Sequence, residues 1–268
     1  MGQKTITRAV VGIPPTVGVY AKMEKRTVLL TGAAGRVGTL LRQHWGARYH
    51  LRLTDVCPIS DLAEHEEYYP FDMTCPESCD RVCRDVHTVV HLAADAGSED
   101  FIGSLLPRNI VGPYNVFTAA ARATCRRLIF TSSIYAVRGH GPNPPIEPDR
   151  PVFPQGLYGA TKCWGEALAR VFASRHRLST VVLRLGNPTF DQAGDWDADE
   201  PSYMISPRDT AALFAHCIDV EDVEFAIVHG SSLHRRPWLG LEFTRALLGY
   251  DPQDGTAFPP NAKGKKTK

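Results

Sequence analysis

The chain has 268 residues, of which 43% are hydrophobic and 22% are charged, with a formal net charge of +1. This composition is ordinary for a globular protein and argues against disordered, collagen-like and coiled-coil chains. The near-zero charge does not indicate a nucleic-acid partner. The longest apolar runs are far shorter than the roughly 20 residues that a membrane-spanning helix needs. We therefore expect the protein to bind neither nucleic acid nor a membrane.

The seven cysteines are an odd set, which does not indicate a disulfide framework. We therefore expect reduced thiols and a cytoplasmic protein. Cys75, Cys79 and Cys83 recur every fourth residue, which places them on one helical face. A metal site would favour Cys-x-x-Cys pairs or added histidines, so we predict no metal.

The chain is predicted to consist of four segments. Residues 1–25 are expected to be a loose N-terminal extension, in which Met23 is a candidate second start. Residues 26–186 are predicted to form the main domain, and residues 187–255 a small lobe interleaved with the last strand. Residues 256–268 read as a disordered basic tail.

Short apolar runs alternate with helical patterns along the chain. In chain order we predict strand 27–30, helix 36–45, strands 51–54 and 68–71, helix 75–85, strand 88–92, helix 102–123, strand 128–131, helix 158–176, and strands 180–184 and 225–228. Pro107 and Pro113 weaken the first half of helix 102–123. The alternation predicts an α/β fold, a Rossmann-type doubly wound parallel sheet with a small C-terminal substrate lobe.

A glycine-rich turn joins the first strand to the first helix. Gly32 would allow the tight turn, Gly35 a close approach of backbone to a pyrophosphate, and Gly38 close packing of helix on strand. The helix start can then hold the phosphates. The turn contributes these predicted cofactor contacts: Gly32, Ala34, Gly35, Arg36, Val37 and Gly38.

Three charged residues bear on the choice of cofactor. Asp55 ends the second strand, where an acid accepts hydrogen bonds from the adenosine ribose and repels a 2′-phosphate. Arg36 argues the other way, because it could meet that phosphate. We expect Asp55 to decide, so NAD is predicted and NADP is less favoured, although Asp55 could instead only form a turn. Asp72 could face the adenine or cap a loop.

Tyr158 and Lys162 are four residues apart near a helix start, so they point the same way. A nearby ammonium favours the phenolate and is expected to lower the tyrosine pKa, and Lys162 can also bind the nicotinamide ribose. Ser133 follows the fifth strand and can hold a substrate hydroxyl beside Tyr158. The three together predict oxidation of an alcohol, in which Tyr158 takes the proton and a nicotinamide takes the hydride.

These motifs resemble the extended short-chain dehydrogenases/reductases, the NAD-dependent epimerase/dehydratase family, over residues 26–255. The resemblance rests on TGAAGRVG at Thr31, HLAA at His91, NIVGPYN at Asn109, TSS at Thr131, YGATK at Tyr158, LRLGNP at Leu183 and LLGYDP at Leu247. It implies Ser133, Tyr158 and Lys162 as the catalytic triad. It also implies that Asn109 supports the site and that Leu92, Ala93 and Ala94 line the cofactor, although Asn109 could be purely structural.

Within that family the chain is most similar to uronate dehydrogenases and to archaeal NAD-dependent glucose-6-phosphate dehydrogenases. LYGATKCWGE, LLGYDPQD and the few residues after Asn187 carry this likeness, and a small lobe suits a free or phosphorylated sugar. Two departures stand out. Ile134-Tyr135 replaces Asn-His after the serine pair, and residues 195–203 are acidic where uronate enzymes place an arginine. Such a stretch would repel an anionic substrate.

The alternatives are an epimerase or dehydratase that retains NAD, and a non-catalytic NAD-binding sensor. Asn187, at the end of the sixth strand, could bind a sugar hydroxyl or only form a turn. Arg184 is expected to pair beneath the sheet end and His91 to be packed. We also expect a homodimer through helices 102–123 and 158–176, with an outer apolar stripe on Tyr114, Phe117, Val171 and Phe172.

Overall fold

The computed structural model describes residues 25–143, 145–190 and 200–255. The predicted N-terminal extension up to residue 24, the predicted basic tail and residues 195–199 of the acidic stretch lie outside these residues. The division into a cofactor domain and a substrate lobe stays a prediction.

The architecture is a parallel sheet covered by helices on both faces. Its elements are β1 (Thr27–Thr31), α1 (Arg36–Trp45), β2 (His50–Asp55), β3 (Glu66–Pro70), α2 (Pro76–Cys83), β4 (Thr88–His91), α3 (Gly112–Arg122), β5 (Arg127–Ser133), α4 (Gly156–His176), β6 (Ser179–Leu185), β7 (Asn187–Pro188), β8 (Met204–Ile205), α5 (Pro207–Asp219), β9 (Phe225–Gly230) and α6 (Glu242–Leu248).

The main sheet has the order β3-β2-β1-β4-β5-β6-β9, and all its pairings are parallel. Two apolar clusters lie on its opposite faces, one including Leu30 and Leu183 and the other Leu29 and Val182. This confirms the predicted Rossmann-type fold. The carboxyl ends of β1, β4, β5 and β6 meet along one edge, where such sheets bind ligands.

The helix predicted over residues 102–123 is divided in two. Its first part, Phe101–Val111, is a π-helix, followed directly by α3. Pro107 lies inside the first part, and its carbonyl oxygen accepts from Gly112 N, five residues on. A proline has no N–H to donate and crowds the preceding turn, which explains why this half leaves the α-helical pattern.

The spacing of apolar residues in α4 predicts a stripe that packs on the sheet, formed by Leu157, Ala160, Trp164, Leu168 and Val171. In the structure this stripe faces outward. The sheet-facing side of α4 is made of small and polar residues, with Gly159, Gly165 and Ala169 buried among them. A Cβ at Gly165 would lie 2.1 Å from Cζ of Phe130, so only glycine fits there. Leu157 and Val171 are therefore left 43% exposed.

The expected outer stripe is half wrong. Tyr114 and Val171 are exposed, at 50% and 43%. Phe117 and Phe172 are buried at 0% and 6%, because they pack on each other with ring centres 5.3 Å apart.

None of the helices in the described ranges has the length and apolarity to cross a membrane. All seven cysteines fall within those ranges, and all are free thiols. Cys79 and Cys83 are buried on α2, as a helix face would place them. Within the same ranges no three metal-ligating side chains form a cluster.

Candidate active site

The turn between β1 and α1 is packed too closely for side chains at its glycines. Gly32 has φ +72°, and a Cβ there would lie 2.9 Å from Ala93 N in the loop after β4. A Cβ at Gly38 would lie 2.5 Å from Gly32 O. The start of α1 carries no side-chain cap, so its first N–H groups are available to an anion.

Two adjoining cavities, of about 700 and 730 Å³, extend from this turn along the edge of the sheet. They share Gly32, Gly35, Leu92, Ala94 and Ala96. The first is lined by Asp55, Asp72 and Ala93, and the second by the predicted catalytic residues. A pyrophosphate at the helix start, with one nucleoside in each cavity, fits this arrangement, so the residues present suit a dinucleotide.

Asp55 lies in the first cavity and has two roles. Its Oδ2 accepts from Ala34 N at 3.0 Å, and its Oδ1 accepts from Cys57 N at 3.0 Å. The second bond is the turn that the sequence left open as an alternative. The carboxylate still lines the cavity, so the turn fixes its position rather than removing it from the site.

Arg36 lies in the second cavity, away from Asp55. Its guanidinium carbon stacks 3.7 Å from the centre of the Phe190 ring, and both side chains line that cavity. It therefore does not share the first cavity, where a 2′-phosphate would meet Asp55. Asp72 Oδ1 caps its own loop by accepting from Thr74 N at 2.8 Å and from Thr74 Oγ1, while also lining the first cavity.

Two predicted cofactor residues, Ala34 and Asn109, line neither cavity. The Ala34 N–H is already bonded to Asp55. Asn109 is 2% exposed. It accepts from Asp95 N and donates to Asp95 O, both at 2.8 Å, and it donates to Thr161 Oγ1 at 3.2 Å. Asn109 thus ties the loop after β4 to α4, which is the structural role left open by the sequence.

Ser133, Tyr158 and Lys162 all line the second cavity, and Asn187 lines it too. Ser133 ends β5. The first turns of α4 carry Tyr158 and Lys162 on one side, as their spacing predicts. Lys162 Nζ donates to Thr131 O at 2.9 Å and lies 5.4 Å from the centre of the Tyr158 ring.

The expectation that Lys162 lowers the Tyr158 pKa is wrong in this structure. Burial raises the pKa of Tyr158 to about 12, and the hydrogen bond with Ser133 offsets only part of that rise. Burial also lowers the pKa of Lys162 to about 8. Burial removes water from both groups and so disfavours the charged form of each, and no attraction between the two contributes to either shift.

A buried ion pair supports the strand end that carries Ser133. Arg184 donates to both carboxylate oxygens of Glu166, at 2.9 and 2.8 Å, and Ser132 Oγ donates to Oε1 of Glu166 at 2.6 Å. The side chains are 2% and 5% exposed. Arg184 is therefore paired, as expected, and it links β5, β6 and α4 behind the site.

His91 is a packed residue, as expected. It is 1% exposed, and its Nδ1 lies 2.9 Å from Thr31 Oγ1. Burial and the charge of Lys162 lower its pKa to about 3, so the ring is neutral near pH 7.

Several residues that line the second cavity were not predicted from the sequence. Tyr135, Gln155, Leu157 and Phe190 all line the second cavity. Tyr135 was noted only as a departure from the family pattern. Its position two residues after Ser133 was a usable signal, because the same strand end aims both side chains toward one edge of the sheet.

Comparison with known proteins identifies the chain's family. Residues 28–198 match the NAD dependent epimerase/dehydratase family. The chain belongs to this family. The chain is similar to the NAD-dependent glucose-6-phosphate dehydrogenase of Haloferax volcanii. The two are 34% identical over 247 residues, which is 86% of this chain and 94% of the relative.

Two further family members are similar over most of their length. The uronate dehydrogenase of Pseudomonas putida is 30% identical, over 85% of this chain and 84% of that protein. A crystal structure of a mutant Agrobacterium tumefaciens uronate dehydrogenase complexed with NAD has a TM-score of 0.78 at 27% identity, covering 86% of each chain. These relatives confirm the prediction of an NAD-dependent oxidoreductase of the extended short-chain type.

Proposed function

We propose that this protein oxidises a hydroxyl group of a sugar or sugar acid, with NAD as the hydride acceptor. The observation that carries the proposal is that Ser133, Tyr158 and Lys162 share one cavity with the uncapped start of α1. An acid–base group, a hydroxyl anchor and a phosphate cradle are the parts that such a reaction needs.

Each residue has a distinct role in this proposal. Ser133 holds the substrate hydroxyl, Tyr158 takes its proton, and Lys162 donates to the nicotinamide ribose with the protons that Thr131 leaves free. When bound, NAD supplies a positively charged ring that accepts the hydride, and this charge favours the phenolate of Tyr158. Asn187, which is exposed in the same cavity, binds a further sugar hydroxyl.

Cofactor choice follows from the first cavity. The Asp55 carboxylate accepts from the adenosine ribose hydroxyls and repels a 2′-phosphate. The stacking of Arg36 on Phe190 keeps that guanidinium in the other cavity, where it is suited to the pyrophosphate.

The experiment that tests the proposal is a spectrophotometric assay of NADH formation with a panel of aldoses, uronates and sugar phosphates. We expect net NADH formation with at least one sugar. Protein that retains NAD through purification and converts sugars without net NADH would instead support an epimerase or dehydratase. Binding of NAD without turnover of any sugar would support a sensor.

A homodimer is proposed through the outer faces of α3 and α4. Tyr114 and Val171 are exposed there, and Ala160, Trp164 and Leu168 continue the apolar face along α4. Light scattering at micromolar concentration should give the mass of a dimer, and Val171→Arg should give a monomer. A monomeric parent protein would reject this interface. The free thiols further support a cytoplasmic location.

A further inference from the structure

A cage of aromatic rings surrounds the guanidinium of Arg138, just beyond the strand end that carries Ser133. The guanidinium carbon lies 5.2 Å from the ring centre of Tyr135, 5.4 Å from that of Tyr203 and 5.6 Å from that of Trp238. Tyr203 and Trp238 meet edge to face with ring centres 5.0 Å apart. This packing fixes the position of a charge that would otherwise move freely in solvent.

Within the described ranges, no hydrogen bond or ion pair is made by the Arg138 side chain, whereas Arg184 and Arg127 each make several. Contacts with ring faces leave the in-plane N–H edge of a guanidinium available. The Trp238 Nε1–H is also buried with no partner among the described residues, so the cage holds two sets of unused donors.

The cage adjoins the catalytic cavity. Tyr135 lines that cavity, and its ring centre lies 6.0 Å from the ring centre of Tyr158. On the other side, Asn187 N donates to Tyr203 O at 2.9 Å, and Asn187 also lines the cavity. Tyr135 therefore contacts both the Tyr158 ring and the Arg138 guanidinium, which places Arg138 one side chain away from the predicted base.

We propose that Arg138 is a specificity-determining residue that binds an anionic group of the sugar, a carboxylate or a phosphate, on the carbon furthest from the one oxidised. A guanidinium pairs with either group through two parallel hydrogen bonds, which a neutral hydroxyl cannot replace. The inference rests on the proposed function. It differs from the expectation from the acidic stretch at residues 195–203, which predicted repulsion of an anionic substrate.

The test is a comparison of kcat/KM for two matched pairs of sugars, at saturating NAD, in the parent protein and in Arg138→Met. The pairs are glucose 6-phosphate against glucose, and glucuronate against glucose, which distinguish a phosphate from a carboxylate. The parent should prefer one anionic sugar. In Arg138→Met the ratio of anionic to neutral kcat/KM should fall by roughly 10- to 100-fold, the loss expected for charged hydrogen bonds.

Arg170→Met is the matched control. Arg170 also stacks on an aromatic ring, with its guanidinium carbon 3.7 Å from the Phe225 ring centre, but Phe225 does not line the catalytic cavity, whereas Tyr135, which contacts Arg138, does. This variant should keep the parent ratio. If Arg138→Met fails to fold, Arg138→Lys keeps a charge without the planar fork, and its ratio should lie below that of the parent.

The outcomes separate the inference from the proposed function. A parent protein that oxidises no sugar contradicts both. A parent that oxidises neutral and anionic sugars equally, or an Arg138 variant whose ratio is unchanged, contradicts the inference alone. An equal loss for all sugars with unchanged thermal unfolding would show that Arg138 only packs the cavity wall.

Discussion

Lys162 Nζ donates to the carbonyl oxygen of Thr131 at 2.9 Å, in a position where the side chain is 5% exposed. The ammonium is thus held between α4 and the end of β5 by one hydrogen bond, with two protons left to donate. Burying this charge is unfavourable for folding, but it positions the ammonium for a ligand.

Lys162 should make stability rise with pH in the alkaline range. Its pKa is lowered from 10.5 to about 8 by burial, so between these values the unfolded chain holds a proton that the folded protein has lost. The free energy of unfolding then increases with pH, by up to about 1.4 kcal/mol per pH unit. Urea unfolding from pH 7.5 to 10 should show this increase in the parent and not in Lys162→Met. Lys25 is exposed, so the control variant Lys25→Met should show the same pH dependence as the parent. If the free energy of unfolding of Lys162→Met rose with pH in parallel with that of the parent, the increase would not come from Lys162.

Asp55→Ser should shift cofactor preference toward NADP. The substitution removes the carboxylate that lines the first cavity and leaves Ala34 N without its 3.0 Å acceptor. We expect the NAD-to-NADP ratio of kcat/KM to fall by roughly 10- to 100-fold, since a charged hydrogen bond and a repulsion are both lost. Asp72→Asn removes a charge from the same cavity and should change the ratio much less. An unchanged ratio in Asp55→Ser would place the determinant elsewhere.

Breaking the buried ion pair of Glu166 and Arg184 should destabilise the protein strongly, whereas replacing both residues by apolar ones should destabilise it little. Glu166→Leu leaves the guanidinium buried without its carboxylate and should destabilise the protein by about 3–5 kcal/mol. The double variant Glu166→Leu/Arg184→Met removes both charges and should recover most of that loss. Urea unfolding of the single and double variants measures the coupling. A double variant destabilised by the sum of the losses in Glu166→Leu and in Arg184→Met would mean that the pair is not coupled.

His229 should contribute to acid sensitivity. It is fully buried, its Nδ1 donates to Gly240 O at 3.2 Å, and burial lowers its pKa from 6.5 to about 3. As pH falls below 6.5, the unfolded chain gains a proton that the folded protein does not, so stability is lost, by about 2 kcal/mol at pH 5. His229→Asn keeps a donor near Gly240 and should flatten the pH dependence by one proton. His91, with its pKa lowered to about 3, should remain as a second source of acid sensitivity. If the free energy of unfolding of His229→Asn changed with pH as steeply as that of the parent, His229 would not be a source.

The strands were predictable from sequence because fully buried parallel strands, such as Val28 to Leu30, are continuous apolar runs. The orientation of α4 was not predictable in this way. Its buried side holds Gly165 against the Phe130 ring and the charged residues Lys162 and Glu166, while large apolar residues such as Val171 face outward. Apolar periodicity alone therefore indicates the wrong face.

Some features of the candidate site were also predictable from the sequence, and others were not. Ser133, Tyr158, Lys162 and Asp55 follow from short-range spacing, and the structure brings the first three into one cavity. The pKa of Tyr158 depends on burial by distant elements, and the aromatic cage of Arg138 joins residues 135, 203 and 238. Neither property leaves a local pattern in the sequence.

In the proposed reaction Tyr158 is the acid–base residue, and the variant Tyr158→Phe is the sharpest test of that role. The substitution removes only the phenolic oxygen, so thermal unfolding and NAD affinity should be unchanged, while kcat on the best sugar should fall about 10²- to 10⁴-fold. Tyr135→Phe, in the same cavity, is the matched comparison and should lose tenfold or less. A Tyr158→Phe protein with near-parental kcat and pH dependence would contradict the mechanism, because the proton would then go to another group.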